Sequence, residues 1–351
     1  MTRQSGSFTL GELAELAGAE VSGDPSRIIR GVGSLASATE EQISHLSSAT
    51  YRSQLETTQA GAIILAPDDA DRWTGDALII ANPYLAFARI TQKFEVLPAI
   101  DKGVNERAQV AESAVIDPAA SVGPGAVVGA RTTLGPGVKV HAGAVVGEDC
   151  TLAADVVIMP NAVIYADVRL GERTIIHSGA IIGGDGFGFT PDEQGALVAI
   201  AQLGGVTIGA DVSVGASTAI DRGALDDTVI EDGVKIDNQV QIGHNTHIGA
   251  HTIICGCVGI AGSSKIGRHV VLAGGAGVGG DHPVEICDQV VLSATTVATS
   301  SITEPGIYSG GVLHSPTRQW KRNALRLLKL DDLFRRVARL EKRLEPQKEL
   351  E

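Results

Sequence analysis

The densest group of side chains able to move a proton is Gly243-His244-Asn245-Thr246-His247, followed by His251. An imidazole titrates near neutrality. It can take a proton from a nucleophile attacking a thioester, a contribution of about 10²–10⁴-fold. The oxyanion that develops on the carbonyl needs a backbone N–H, and a glycine lets substrate approach such a group closely. The same three histidines could instead be read as zinc ligands. Zinc needs three convergent donors with hydrogen-bonded support, and steps of three and four converge on a helix.

The element that must position these residues is a coil. From Val110 to Ile182 every sixth residue is aliphatic, through Ile116, Val122, Val128, Leu134, Val140, Val146, Leu152, Ile158, Ile164, Leu170 and Ile176. The register returns from Ile208 to Ile220 and from Ile230 to Val278. Four places after each knob stands a small or β-branched residue, such as Ala126, Thr132, Ala144 or Thr174, and the residue just after is often Gly. A period of six fits neither a free helix nor a single strand, but it fits a parallel β-helix of short strands and tight corners. The knob points inward, and glycine is expected to give the corner its backbone freedom. Stacked coils share one core, each knob contributing roughly 1.5–3 kcal/mol before chain entropy is charged against it.

On such a coil the histidines fall into place. Ile242 is a knob, so His244 sits near a corner and faces outward. One coil of three hexads further is Gly262, and a second coil reaches Gly280, beside Asp281-His282. These places should stack along one edge. Asp237, at the preceding corner, is expected to hold the His244 imidazole in one tautomer. Three and four do not converge on this coil, so no metal is expected. The glycine run 274–280 opens no helix, which argues against a dinucleotide fingerprint. The repeat breaks three times: at 184–205, which contains Gly-Asp-Gly-Phe-Gly-Phe, in the ten-residue step from Ile220 to Ile230, and near Asp281 to Glu285. Loops that leave a solenoid are where function usually sits.

The flanks differ from the coil. Residues 1–105 read as an α+β domain. Thr9 and Glu12 form a capping-box signature closed by Gly18. Strands are expected at Ile28–Ile29, Ala62–Leu65 and Ala77–Ala81, and a helix after Asn82-Pro83 with Tyr84, Phe87, Ala88 and Phe94 on or near its apolar face. Residues 99–109 read as a linker, residues 106–305 as the β-helix and residues 306–351 as a helical extension. In the last, Leu330, Leu333, Val337, Leu340 and Leu344 step as a short heptad seam. Ten of the 28 basic residues lie between Arg318 and Arg343, with only three of the 41 acidic ones. A basic helix on a chain of net charge −13 suggests an acidic partner, and that charge argues against a general nucleic-acid binder. The four cysteines form no C-x-x-C pair and suit a reducing compartment. No apolar run approaches the roughly 20 residues of a membrane span, and no signal peptide is evident, so a cytoplasmic protein is expected.

The hexads resemble those of the hexapeptide-repeat acyltransferases, which implies a left-handed prism and a homotrimer. The segments 220–228, 237–245, 184–189, 285–288 and 302–306, with Tyr51-Arg52 and 82–89, resemble the UDP-3-O-(3-hydroxyacyl)glucosamine N-acyltransferase family of lipid A synthesis, in order along essentially the whole chain. That resemblance implies transfer of a 3-hydroxyacyl chain from acyl carrier protein to the 2-amine of a UDP-3-O-acyl-glucosamine. It implies His244 as general base, Asp237 as its orienting carboxylate, Gly262 as oxyanion donor and His282 near phosphate or thioester. It places uridine against His45, Ser48 and Tyr51, where the family has an aromatic residue, an Asn and a Tyr. The basic helix, with Arg318, Lys321, Arg322 and Arg326, would meet the acidic carrier protein. The protein needs no cofactor of its own, since phosphopantetheine arrives on the carrier. Other readings are an O-acyltransferase of the same pathway, which lacks such an N-terminal domain, and a non-catalytic or metal-binding scaffold.

Overall fold

A computed structural model describes residues 6–96, 98–311 and 314–344. The chain forms two compact units, Met1–Ala99 and Ile100–Glu351. The ends of the expected extension, 312–313 and 345–351, and the Leu344 side chain lie outside the described residues.

In the first unit a five-stranded sheet runs in the order Glu20–Ser22, Asp76–Ile79, Ala62–Leu65, Gln42–His45, Gly31–Val32. Ala62–Leu65 is buried throughout. Its alternation divides two cores: Ala62 and Ile64 pack with helices α1 (Leu10–Ala17) and α2 (Pro83–Phe94), while Ile63 and Leu65 pack with Leu35, Leu46 and Leu55. The Thr9–Glu12 capping box forms, and Gly18 ends α1 in the left-handed region at φ 71°. Helix α2 buries Ala86, Ile90 and Phe94, one step-of-four stripe, and leaves Tyr84 exposed. Phe94 and, in part, Phe87 lie on the buried face as expected, while Tyr84 and Ala88 do not, because Ala86 and Ile90 take the places against the sheet.

The second unit is a parallel β-helix. Three parallel sheets of nine, eleven and ten strands each take one short strand from every coil. Partners are one coil apart, as in Val127 with Val145 and Val145 with Val163. Knobs from Val122 to Leu292 form one core. The coil starts before the expected linker ends: Gly103–Val104 already pairs with Ser121–Val122. Val104 fits the period of six but stands among charged residues.

The corners are made differently from the expectation. Left-handed φ occurs three residues after the knob, and there Arg131, Asp149, Asp155, Asn161 and Arg173 adopt it as well as glycine. The glycine directly after the knob serves close stacking instead: a Cβ at Gly129 would lie 2.5 Å from the carbonyl carbon of Gly147 one coil above. The buried threonines close the backbone account. Thr132 Oγ1 donates to the Gly147 carbonyl (2.6 Å) and accepts the Cys150 N–H (3.1 Å).

Candidate active site

His244 follows the strand Gln241–Ile242, whose Ile242 side chain is fully buried and fixes the register. The imidazole turns outward and is half-buried. Its Nδ1 lies 3.0 Å from Oδ1 of Asn245. Asn245 takes the left-handed corner at φ 58°, and its amide is clamped by the extra residues of the ten-residue step. Oδ1 accepts the N–H of Ala224 (2.9 Å), Nδ2 donates to the Asp226 carbonyl (2.8 Å), and its own N–H donates to Thr228 Oγ1 (2.8 Å). With both ends of the amide assigned, Oδ1 can only accept from His244. In the neutral imidazole Nδ1 therefore carries the proton and Nε2 a free lone pair.

That lone pair lies over Gly262. A Cβ there would stand 2.7 Å from His244 Nε2, so only glycine leaves the ring its place. The N–H of Gly262 donates to no acceptor among the described residues, whereas that of Ser263 is bound to the His244 carbonyl at 2.7 Å. A base and an unused donor thus sit side by side on one edge, as the period of six places them.

They open into a cavity of about 730 Å³, lined also by Asp185, Phe187, Phe189, Asp221, Gln241 and Ile260. The 184–205 excursion supplies its apolar wall. Phe189–Pro191 and Leu197–Ala199 form an antiparallel hairpin, and the Phe187 and Phe189 rings meet edge to face at 5.0 Å. A Cβ at Gly186 would collide with Cβ of His244 at 2.7 Å, so the root of the hairpin rests on the histidine.

Other expected residues stand elsewhere. Asp237 remains at its own corner, accepting the N–H of Asn238 at 2.7 Å and flanking Gly256. Within the chain Asn245 holds the place beside His244 that Asp237 was expected to fill, because one hexad separates the two corners. Gly280 stacks in register above Gly262, through the pairing of Ile260 with Val278. His282 lies beyond it on an exposed loop and does not line the cavity. His247 faces Glu231 at 3.4 Å and His251 stacks on His269 at 5.3 Å, so the three histidines do not converge. Asn245 and Asp221 were missed. Counting the ten-residue step into the coil would have found Asp221, since Ile220 pairs with Ile242 and puts Asp221 directly beneath the His244 corner.

In the first unit a separate cavity of about 350 Å³ is lined by Ser48, Arg52, Asp69, Asn82 and Tyr84. His45 stacks on Phe87 with centroids 4.0 Å apart and leans on Tyr84 at 5.5 Å. Burial pushes its pKa down, and its buried Nδ1 has no partner. The Ser48 hydroxyl caps the 3₁₀ helix Ala49–Glu56 by accepting the Thr50 N–H. Arg52 pairs with Asp69 through two hydrogen bonds (2.7 and 3.2 Å). Tyr51 is 51% exposed and does not line this cavity.

The C-terminal stretch is two helices rather than one, α3 (Thr317–Leu327) and α4 (Leu330–Leu344). Arg318, Lys321, Arg322 and Arg326 lie on α3, and among the described residues none meets a carboxylate of this chain. The seam residues Leu330, Leu333, Val337 and Leu340 are exposed in the single chain. No described helix is long and apolar enough to cross a membrane.

Comparison with known proteins places the chain in a family. A family model described as UDP-3-O-(3-hydroxymyristoyl) glucosamine N-acyltransferase matches residues 26–93, and one described as bacterial transferase hexapeptide (six repeats) matches 149–184 and 227–262. A UDP-3-O-acylglucosamine N-acyltransferase of Pseudomonas aeruginosa is 48% identical over 338 residues, covering 96% of this chain and 95% of the relative. That of Pseudomonas savastanoi is 47% identical over 336 residues, with the same coverage. Among solved structures, a UDP-N-acetylglucosamine O-acyltransferase from Moraxella catarrhalis aligns at 22% identity and a TM-score of 0.41, over 71% of this chain and 86% of that one. At 48% identity over nearly the full length of both chains, the protein belongs to the UDP-3-O-acylglucosamine N-acyltransferase family of hexapeptide-repeat enzymes.

Proposed function

We propose that the protein transfers a 3-hydroxyacyl chain from acyl carrier protein to the 2-amine of UDP-3-O-acyl-glucosamine, a step of lipid A synthesis carried out in the cytoplasm. One observation supports the chemistry most: His244, whose Nδ1–H is held by the clamped Asn245 so that the neutral ring turns its Nε2 lone pair toward the unused N–H of Gly262. The acceptor nitrogen attacks the thioester carbonyl carbon, and His244 Nε2 takes its proton. The Gly262 N–H faces the oxyanion. As the C–S bond breaks, the imidazolium returns the proton to the departing thiolate.

Further parts of the reading rest on charge and exposure. The unpaired cations of α3 suit an acidic carrier protein, whose phosphopantetheine arm brings the only prosthetic group the reaction requires. The exposed seam of α4 and apolar residues on the outer sheet faces, such as Ile181 and Val297, suit burial in a homotrimer. Uridine would bind in the first unit near Tyr84 and Tyr51. There His45 offers an aromatic face, and Ser48, committed to its cap, cannot give the two-ended contact of an amide. His282 and Asp237 lie outside the cavity formed within one chain, so any part they take would require a neighbouring copy.

The test is thiol release from 3-hydroxyacyl carrier protein with UDP-3-O-acyl-glucosamine, beside His244→Ala. Release that needs both substrates, and falls about 10²–10⁴-fold in the variant, is expected. Release indifferent to His244, or none from the wild type, would overturn the assignment.

A further inference from the structure

The mechanism leaves two carboxylates in the cavity, Asp185 and Asp221, without a task. Asp221 ends the strand Ala219–Asp221 and lines the cavity with His244. Its Oδ2 accepts a hydrogen bond from Gln241 Nε2 at 2.9 Å, and no cation of the described chain pairs with it. The adjacent Arg222 is turned away. Its guanidinium donates to the carbonyls of Gly204 (2.7 Å) and Ala166 (3.4 Å) and stands 3.7 Å from Asp167. The other ionisable groups lining the cavity are the carboxylate of Asp185 and the imidazole of His244. Burial pushes the Asp221 carboxyl up, opposed by the Gln241 hydrogen bond and the nearby His244. A half-buried carboxylate without a counter-ion is costly in the free protein and attracts a cation.

Two other carboxylates on the edges of the coil have one. Asp149 has Arg131 and Asp211 has Arg173. The missing cation at Asp221 is the kind of charge an amine substrate carries, because a free amino sugar is largely an ammonium at neutral pH. We propose that Asp221 binds the acceptor's amino group as its ammonium and presents that nitrogen to His244. This rests on the proposed acyl transfer to an amine. The ammonium loses one proton to water through the Asp221 carboxylate, which leaves the lone pair free. The second proton goes to His244 Nε2 during attack on the carbonyl carbon.

The experiment compares two ligands on the full-length protein: UDP-3-O-acyl-glucosamine, which carries the amine, and its N-acetyl derivative, which is neutral there. Binding of each is measured by calorimetry for wild type, Asp221→Asn and Asp221→Glu. Asp221→Asn is expected to weaken the amine ligand at least about tenfold while the neutral one holds its affinity, and Asp221→Glu to restore part of the preference. The acceptor KM should rise in Asp221→Asn with the acyl-donor KM unchanged. Equal weakening of both ligands, or unchanged preference for the amine, would overturn the proposal. His244→Ala should keep the preference while losing turnover. A wild type that binds the amine ligand with Asp221-dependent preference but transfers no acyl group would sink the acyl-transfer reading and leave the amine site standing.

Discussion

The coils from Val122 to Ile176 and those from Ile220 to Gly280 share one hexad and one core. Their edges differ. In the first region corner side chains satisfy one another between successive coils. Arg131 donates to both oxygens of Asp149 and to Glu148. Across the excursion Arg173 does the same for Asp211 and Glu172. The neighbouring carboxylates hold Arg131 and Arg173 fully protonated, and the hydrogen bonds from those guanidiniums hold Asp149 and Asp211 below the usual carboxylate range. In the second region the extra residues between Ile220 and Ile230 turn inward on Asn245, and the hairpin after Gly184 rests on His244. A base, a free N–H and an unpaired carboxylate remain. The two breaks in register bring a histidine, an unused N–H and an unpaired carboxylate together at one edge.

The largest expected effect within this contrast comes from Gly262→Ala. Its Cβ cannot coexist with the present His244 ring, so the imidazole moves and the Gly262 N–H is covered, which on the proposed mechanism removes both base and oxyanion donor. Turnover should fall about 10²–10³-fold with the thermal midpoint near wild type. If activity survives, the stacking of base and donor is not what drives the reaction. Asn245→Ala should cost less, roughly tenfold in kcat, the worth of one orienting hydrogen bond. It should cost more than Asp237→Ala, and the reverse ranking would return the orienting role to Asp237 acting across copies. Smallest of all is Arg131→Ala. It removes an exposed ladder pair in the regular region, and such pairs contribute little. Thiol release and unfolding temperature should both stay close to wild type. A large loss of activity there would show that the regular coils do more than carry the site.

The sequence showed the coil plainly, since a six-residue period repeats a local rule and needs no long-range knowledge. The same period placed Gly262 above His244. It misread the glycines after the knobs, because a close approach between coils and a corner of positive φ leave the same mark in sequence. It also gave Asp237 a neighbour that, within one chain, is Asn245's. The partner of His244 is set by the residues between Asp221 and Thr228, whose fold depends on side-chain bonds rather than on period. The first unit was legible in its capping box and central strand, and less so in α2, where packing against the sheet chose Ala86 and Ile90 over Tyr84 and Ala88.

The most direct measurement restores the period. Deleting Gly223 to Asp226 makes the step from Ile220 to Ile230 six, keeps Asp227 and Thr228, and removes both partners that orient the Asn245 amide. Circular dichroism should show the strand signal and cooperative unfolding retained, while thiol release from the acyl donor in the presence of the amine acceptor falls at least about a hundredfold. A folded deletion variant that turns over at the wild-type rate would contradict the claim that the break in register makes the site.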